Sequence, residues 1–239
     1  RDQFNTVITS SVQNPHVANT VTAFKNRALD SSFAAAYFPD VTVTDPDTRA
    51  LVSVPPSVVT IGAYSLNDRV GHPWFAPAGF TRGVLSTVES TNVSLNRTNL
   101  DDLYDADINP LAQYPGRPLS IWGQKPLLAA NSALDRVNVR RLLIELKSFI
   151  GQIAEQIVFE QNTATTRNSF LASVNPYLET VQQKQGLYAF KVIMDDSNNT
   201  ADVIDRNQMV GQIYIQPTRT AEFIYLDFNI LPTGAVFPA

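Results

Sequence analysis

The chain has 239 residues, 44% of them hydrophobic and 17% charged, with 18 lysines and arginines against 22 aspartates and glutamates and a formal net charge of -4. Average globular proteins carry roughly 25% charged residues, so the low charge and the many Asn, Thr, Gln and Ser predict an outer surface partly covered by partners. The acidic balance gives no bulk reason to expect nucleic-acid binding, and the lack of cysteine excludes disulfides, thiolate zinc sites and cysteine nucleophiles, which fits a reducing cytoplasm. No apolar run approaches the ~20 residues of a membrane span, and no direct membrane insertion is expected. The chain opens at Arg1 in mid-pattern and reads as part of a longer product.

Residues 16–30, "HVANTVTAFKNRALD", place Val17, Val21, Phe24 and Ala28 at helical spacing and predict an amphipathic helix. A buried apolar run leads to Pro39, after which the Asp45-Pro46 turn separates two short strands, "VTVT" and "LVSV". Pro55 and Pro56 open a helix, "PPSVVTIGAYSLNDR", because a proline's missing N–H has no partner in a first helical turn. "GHPWFAPAGFTRG" is too rich in Pro and Gly for regular structure and predicts an ordered loop pinned by Trp74, Phe75 and Phe80. "TNLDDLYDADI" predicts a short acidic helix capped by Thr98 or Asn99, with Asp101 and Asp102 in its first turn, where the helix dipole favours them.

Asn131 or Ser132 is placed to cap the longest helical pattern, in which Val139, Leu143, Leu146, Ile150, Ile153 and Ile157 draw one apolar stripe. A second helix follows through Phe170, Leu171, Val174, Leu178 and Val181, with Gly186 as its C′ residue and a kink, or a restart capped by Asn175, at Pro176. Three strands close the chain, "YAFKVIM", "GQIYIQP" and "AEFIYLDFNI", the first two joined by a polar connection. The order predicts an α+β fold: a mixed sheet with a C-terminal antiparallel hairpin, packed against the long amphipathic helix and shorter helices.

Little in the chain suggests catalysis. His16 and His72 have no motif around them, and no HExxH, GxSxG or phosphate-binding glycine loop occurs. Asp101, Asp102, Asp105 and Asp107 lack the glycine turn and closing glutamate of a calcium loop, so they read as a solvated helix start, and Asp195 and Asp196 with Asn198 and Asn199 read as a turn. A hydrolase using acids such as Asp102, Asp107 or Glu160 has no second acid that spacing supports. No metal and no cofactor are expected. Arg136, Arg140 and Lys147, with Arg141 adjacent, fall on one side of the long helix, either as a solvated face or as a docking strip for an acidic surface.

From about Phe33 to Phe237 the chain resembles the C-terminal part of the tail sheath proteins of contractile-tailed bacteriophages. The likeness is carried by an ordered series: "FAAAYFPDV", "VPPSVVTIGAYSLND", "WFAPAGFTRG", "INPLAQYPGRPLSIWGQKPL", "VNVRRLLIELKSFI", "VFEQN", "NNT" and "AEFIYLDF". The chain departs from the family in having Leu134, Asp135 and Arg136 where Trp-x-Tyr is frequent, and Gln161 where proline is common. "INPLAQYPGRPLSIWG" reads as a shape-holding connector built on Asn109, Pro110, Pro115, Gly116, Arg117 and Trp122: prolines fix φ, Gly116 supplies the turn, Arg117 pairs with nearby acids, and Ile121 and Trp122 enter a strand.

The resemblance implies a structural subunit with no enzymatic activity, forming a homo-oligomer of hexameric rings stacked in a helix around a tail tube, with baseplate and tail terminator proteins as further partners. Its place would be the virion tail sheath, assembled in the host cytoplasm, and its work contraction that drives the tube through the host envelope. Residues 1–30 would be an N-terminal helical segment, 31–230 the sheath C-terminal core domain and 231–239 a C-terminal arm. Phe223, Tyr225, Leu226, Phe228 and Phe237 become candidates for strands and arms shared between subunits, and Arg136, Arg140, Arg141 and Lys147 for tube contacts. Sheath subunits of type VI secretion systems and phage-tail-like bacteriocins are the nearest alternative.

Overall fold

A computed structural model of the chain describes residues 13–130 and 132–225, with side chains from His16 onward. Helix α1, Gln13–Asn26, buries Val17 and packs Val21 and Phe24 against Phe38, Leu103 and Ile108. It ends before the predicted Ala28, which takes a φ of 46 while its N–H and that of Arg27 close the last turn on the carbonyls of Lys25 and Phe24.

The predicted apolar run is strand β1, Ala36–Phe38, and the two predicted short strands are β2, Val41–Thr44, and β3, Leu51–Val54, paired antiparallel. Their turn is held by the Asp45 carboxylate, which accepts from the Asp47 N–H (3.0 Å) and the Thr48 hydroxyl (2.6 Å). Helix α2, Pro56–Val70, starts with proline in its first turn as expected. The loop predicted after it contains a single helical turn, α3, Gly79–Arg82. Strand β4, Val88–Thr91, has no alternating apolar pattern to announce it, and it pairs with β2 to complete a sheet of order β3-β2-β4.

Helix α4, Arg97–Asp105, is capped by Asn96 rather than by Thr98 or Asn99. The Asn96 side chain accepts from the Asn99 N–H (2.9 Å) while the Asn99 side chain accepts from the Asn96 N–H (3.3 Å), a reciprocal capping box. Asp101 and Asp102 consequently fall beyond the first turn. Replacing Asn96 by alanine is expected to destabilise the protein by about 1 kcal/mol, read as a lowered urea midpoint at unchanged slope.

Ile108–Ala112 forms β5, whose five residues are all buried, and it is the middle strand of a mixed sheet, parallel to β1 and antiparallel to β6, Ser120–Ile121. The first third of the predicted connector is therefore strand. Pro110 is tolerated there because its carbonyl still accepts from the Trp122 N–H (2.8 Å), so the ring removes one donor only.

The long helix, α5, spans Val137–Gln156 and begins later than expected. Ser132 accepts from the Leu134 N–H in a local turn, Asn131 lies outside the described residues, and the Val137 N–H is taken up by the Gln124 carbonyl (2.7 Å). Leu142, not Leu143, joins Val139 and Leu146 in the buried stripe. Helix α6, Ala164–Gln183, runs through Pro176 without a restart; Pro176 and Ala172, whose carbonyl it leaves without a donor, both face solvent. Gln185, with a φ of 63, takes the left-handed position assigned to Gly186. Gly186 serves close approach instead, since a Cβ there would meet Val181 Cγ1 at 2.6 Å and Trp74 Nε1 at 3.2 Å.

Strands β7, Leu187–Ile193, and β8, Gln212–Pro217, form the expected antiparallel hairpin, and their connection holds a short helix α7, Ala201–Asp205. The hairpin packs on α5 and α6: Leu187 and Met194 join Leu142, Leu146, Phe170, Val174 and Leu178 in one core. Trp74 enters that core from the other half of the chain, donates to the Lys184 carbonyl (3.0 Å) and accepts from Asn138 (3.3 Å). Of the third predicted strand, residues 221–225 form no strand with any described residue, and 226–230 lie outside them.

Candidate assembly interface

After β8 the chain returns to the head of α5 and is fastened there by Glu222. Tyr104 donates to its Oε2 (2.6 Å), and Arg136 Nε (2.8 Å) and Gln124 Nε2 (3.1 Å) donate to its Oε1. Gln124 also bonds the Thr220 hydroxyl (2.5 Å), Arg136 bonds the Tyr104 hydroxyl (3.2 Å), and the Phe223 ring meets Tyr104 edge-on at 5.7 Å. Burial opposes the charge on Glu222, but the hydrogen bonds from Tyr104 and Arg136 and the Arg136 charge outweigh it and hold the carboxyl below its ordinary range. Burial and the same carboxylate push Tyr104 well above an ordinary tyrosine. Past this anchor Tyr225 is 93% exposed; Leu226, Phe228 and Phe237 lie outside the described residues.

The cations expected to form one docking strip are mostly turned to internal work. Arg136 holds Glu222. Arg140 is 9% exposed, bonds the Ser32 hydroxyl and lies 4.1 Å from the Phe33 ring centroid. Arg141 grips both carboxylate oxygens of Asp68 (2.7 and 2.6 Å) over the Tyr64 ring. Lys147 is exposed.

The turn that follows β5 has the expected chemistry. Arg117 N–H bonds the Tyr114 carbonyl (3.0 Å) with Pro115 and Gly116 (φ +70) between them, the residue pattern of a type II turn. Arg117 lies over the Phe80 ring (5.2 Å) rather than beside an acid, and Trp122 packs on Phe80 and Tyr114. Asn109 is 1% exposed and ties three backbone groups: its Nδ2 donates to the carbonyls of Ala36 (3.0 Å) and Lys125 (2.8 Å), and its Oδ1 accepts from the Lys125 N–H (2.7 Å). Between this turn, α4 and the anchored C-terminal segment lies a groove of about 1000 Å³, walled by Tyr104, Tyr114, Trp122, Leu100 and Ile224.

His72 stacks on Trp74 at 4.6 Å, and desolvation with the Lys184 charge lowers its pKa. Asp195 accepts from Ser197, and Asn199 bridges to Val210 across the hairpin connection. The Glu222 anchor escaped sequence reading because its partners stand 86 to 118 positions away, and nothing in the spacing marks them.

Each strand of the C-terminal hairpin has one neighbour among the described residues, and the segment after it is strapped to the body at Glu222, an arrangement suited to a building-block protein. Residues 129–231 match the model for the phage tail sheath C-terminal domain. The chain is 40% identical over 176 residues to the tail sheath protein of Vibrio phage KVP40, covering 74% of this chain and 26% of that protein. It is 37% identical over 184 residues to the tail sheath protein of Enterobacteria phage T4, covering 77% and 28%. Among solved structures, the contracted PVC sheath of an extracellular contractile injection system superposes with a TM-score of 0.79 at 25% identity, over 92% of this chain and 61% of that one. The contracted helical sheath of the anti-feeding prophage gives 0.74 at 28% identity, over 83% and 56%. This chain belongs to the tail sheath family of contractile-tailed phages. It spans 26 to 28% of the length of the curated relatives it matches.

Proposed function

We propose that the chain is the C-terminal, tube-proximal part of a tail sheath subunit, which polymerises around a tail tube and contracts to drive it through the host envelope. The observation that carries this reading is the pairing of a two-stranded hairpin, each strand with only one neighbour among the described residues, with a terminal segment pinned at Glu222. An unpaired edge accepts a strand from a neighbour, and backbone bonds made that way persist while subunits swing as rigid bodies. On this reading residues 31–230 are the core, 1–30 an N-terminal segment and 231–239 the arm; Phe223 and Tyr225 lead into the shared strand, with Leu226, Phe228 and Phe237 beyond them. Hexameric rings, the tube, the baseplate and a tail terminator protein are its partners, the subunit is not an enzyme, and it resides in the virion after assembly in the host cytoplasm. Of the four cations assigned to the tube, the exposed Lys147 carries that role best, since Arg136, Arg140 and Arg141 have partners within the chain. Weak, exposed ion pairs suit a contact that must hold and then release.

The higher identity to phage proteins favours a phage tail over an injection system. Negative-stain electron microscopy of the full-length protein expressed without tube or baseplate tests the reading. Hollow cylinders with a regular lattice are expected; monodisperse monomers at high concentration would overturn it.

A further inference from the structure

The C-terminal end of α5 presents an unusual surface. Val158 is 58% and Phe159 99% exposed, and Phe159 has a φ of 71. A bulky side chain in the left-handed region is strained, and such strain persists where it serves a function. Glu155 and Glu160 flank it, both exposed, and no basic residue lies in the last turn of α5 to meet the partial negative charge of the helix end. The result is an aromatic knob in an acidic setting.

At the other end of α5 lies the groove beside the Glu222 anchor. Its aromatic wall of Tyr114 and Trp122 is joined by Arg82 and the exposed Arg97, with Asp101 opposing them and Glu222 neutralised by Arg136. Twenty helical residues separate knob and groove by about 30 Å, so one copy cannot join its own pair. We infer that Phe159 of one subunit docks in the Tyr114–Trp122 groove of a second copy, with Glu160 directed to Arg97. Different patches at opposite ends of one rod make a head-to-tail contact, which builds rings or helices instead of closed pairs. This rests on the sheath reading and assigns one of its subunit contacts.

The absence of cysteine from this chain gives a direct test. In the full-length protein, with any cysteine outside this chain replaced by serine, Gln113→Cys with Glu160→Cys should yield a ladder of disulfide-linked multimers on oxidation of assembled cylinders. Phe159→Ala, with an unchanged circular dichroism spectrum, should raise the concentration needed for assembly at least about 10-fold, as loss of a buried aromatic anchor does. Arg97→Glu and Glu160→Arg should each impair assembly, and the two together should restore it. Monomers alone after oxidation of normal cylinders would overturn the inference while leaving the sheath reading intact. So would a Phe159→Ala protein that assembles alone at the wild-type concentration and fails only with the tube present, which would assign the knob to the tube. Wild-type protein that forms no cylinders would overturn the sheath reading itself, and this contact with it.

Discussion

Replacing Asn109 by alanine is expected to destabilise the protein by about 3–4 kcal/mol, because it strands the buried Ala36 carbonyl and the part-buried Lys125 N–H and carbonyl, at the low end of roughly 1–3 kcal/mol for each group left unpaired. The urea midpoint should fall at unchanged slope. A loss below about 1 kcal/mol would mean that water replaces the side chain, and the clamp would then be incidental. Gly123 supplies a sharper version of the test, since a Cβ there would lie 2.8 Å from Asn109 Oδ1. Gly123→Ala should therefore destabilise the wild type, yet the double variant Asn109→Ala with Gly123→Ala should be less damaged than the sum, because the shortened residue 109 leaves room for the new methyl.

Glu222→Ala is expected to leave the body folded and to free the C-terminal segment. It removes three hydrogen bonds, two of them from uncharged donors and one from Arg136, and leaves a half-buried guanidinium without its main partner. A loss of about 1.4–2.8 kcal/mol at the anchor corresponds to a 10- to 100-fold rise in cleavage of the segment by a protease present at low concentration. Cylinders should be lost in the full-length protein. Acid should act in the same direction: the Glu222 carboxyl is held below its ordinary value, so the anchor is intact above the unfolded glutamate pKa of about 4.3 and weakens as pH falls through the lower folded value. Cleavage should rise in that window for the wild type and stay flat for Glu222→Gln. Equal cleavage of wild type and Glu222→Ala at neutral pH would remove the anchor from the account.

Local chemistry was legible in the sequence wherever neighbours in the chain are neighbours in space. Pro55 and Pro56 announced α2, Asp45 the turn between β2 and β3, and the hairpin strands and the apolar stripe, except at Leu142, were readable from period alone. Long-range partners were not. Val137 begins α5 because a carbonyl at Gln124 meets its N–H, which no capping rule applied to Ser132 could anticipate. The strand through Pro110 lay hidden in the predicted connector, because a proline's cost in a ladder depends on which side lacks a donor, a property of the partners. β4 is short and largely exposed, so it carries no apolar alternation. The resemblance suggested candidate inter-subunit segments by motif, whereas the Glu222 anchor needed Tyr104, Gln124 and Arg136 brought together from separate parts of the chain.

The same helix receives the strap and the hairpin. Arg136 at the head of α5 holds Glu222, and Leu142 and Leu146 on its flank share a core with Leu187 of β7. On the proposed reading, in which one neighbour holds the terminal arm and another the hairpin, their pulls load one stiff rod at two points along its length. Forces applied at separate points of a rod make a lever: opposed pulls exert torque on the subunit and turn it as a whole, so that work done on its tethers emerges as rotation rather than as stretching of its core.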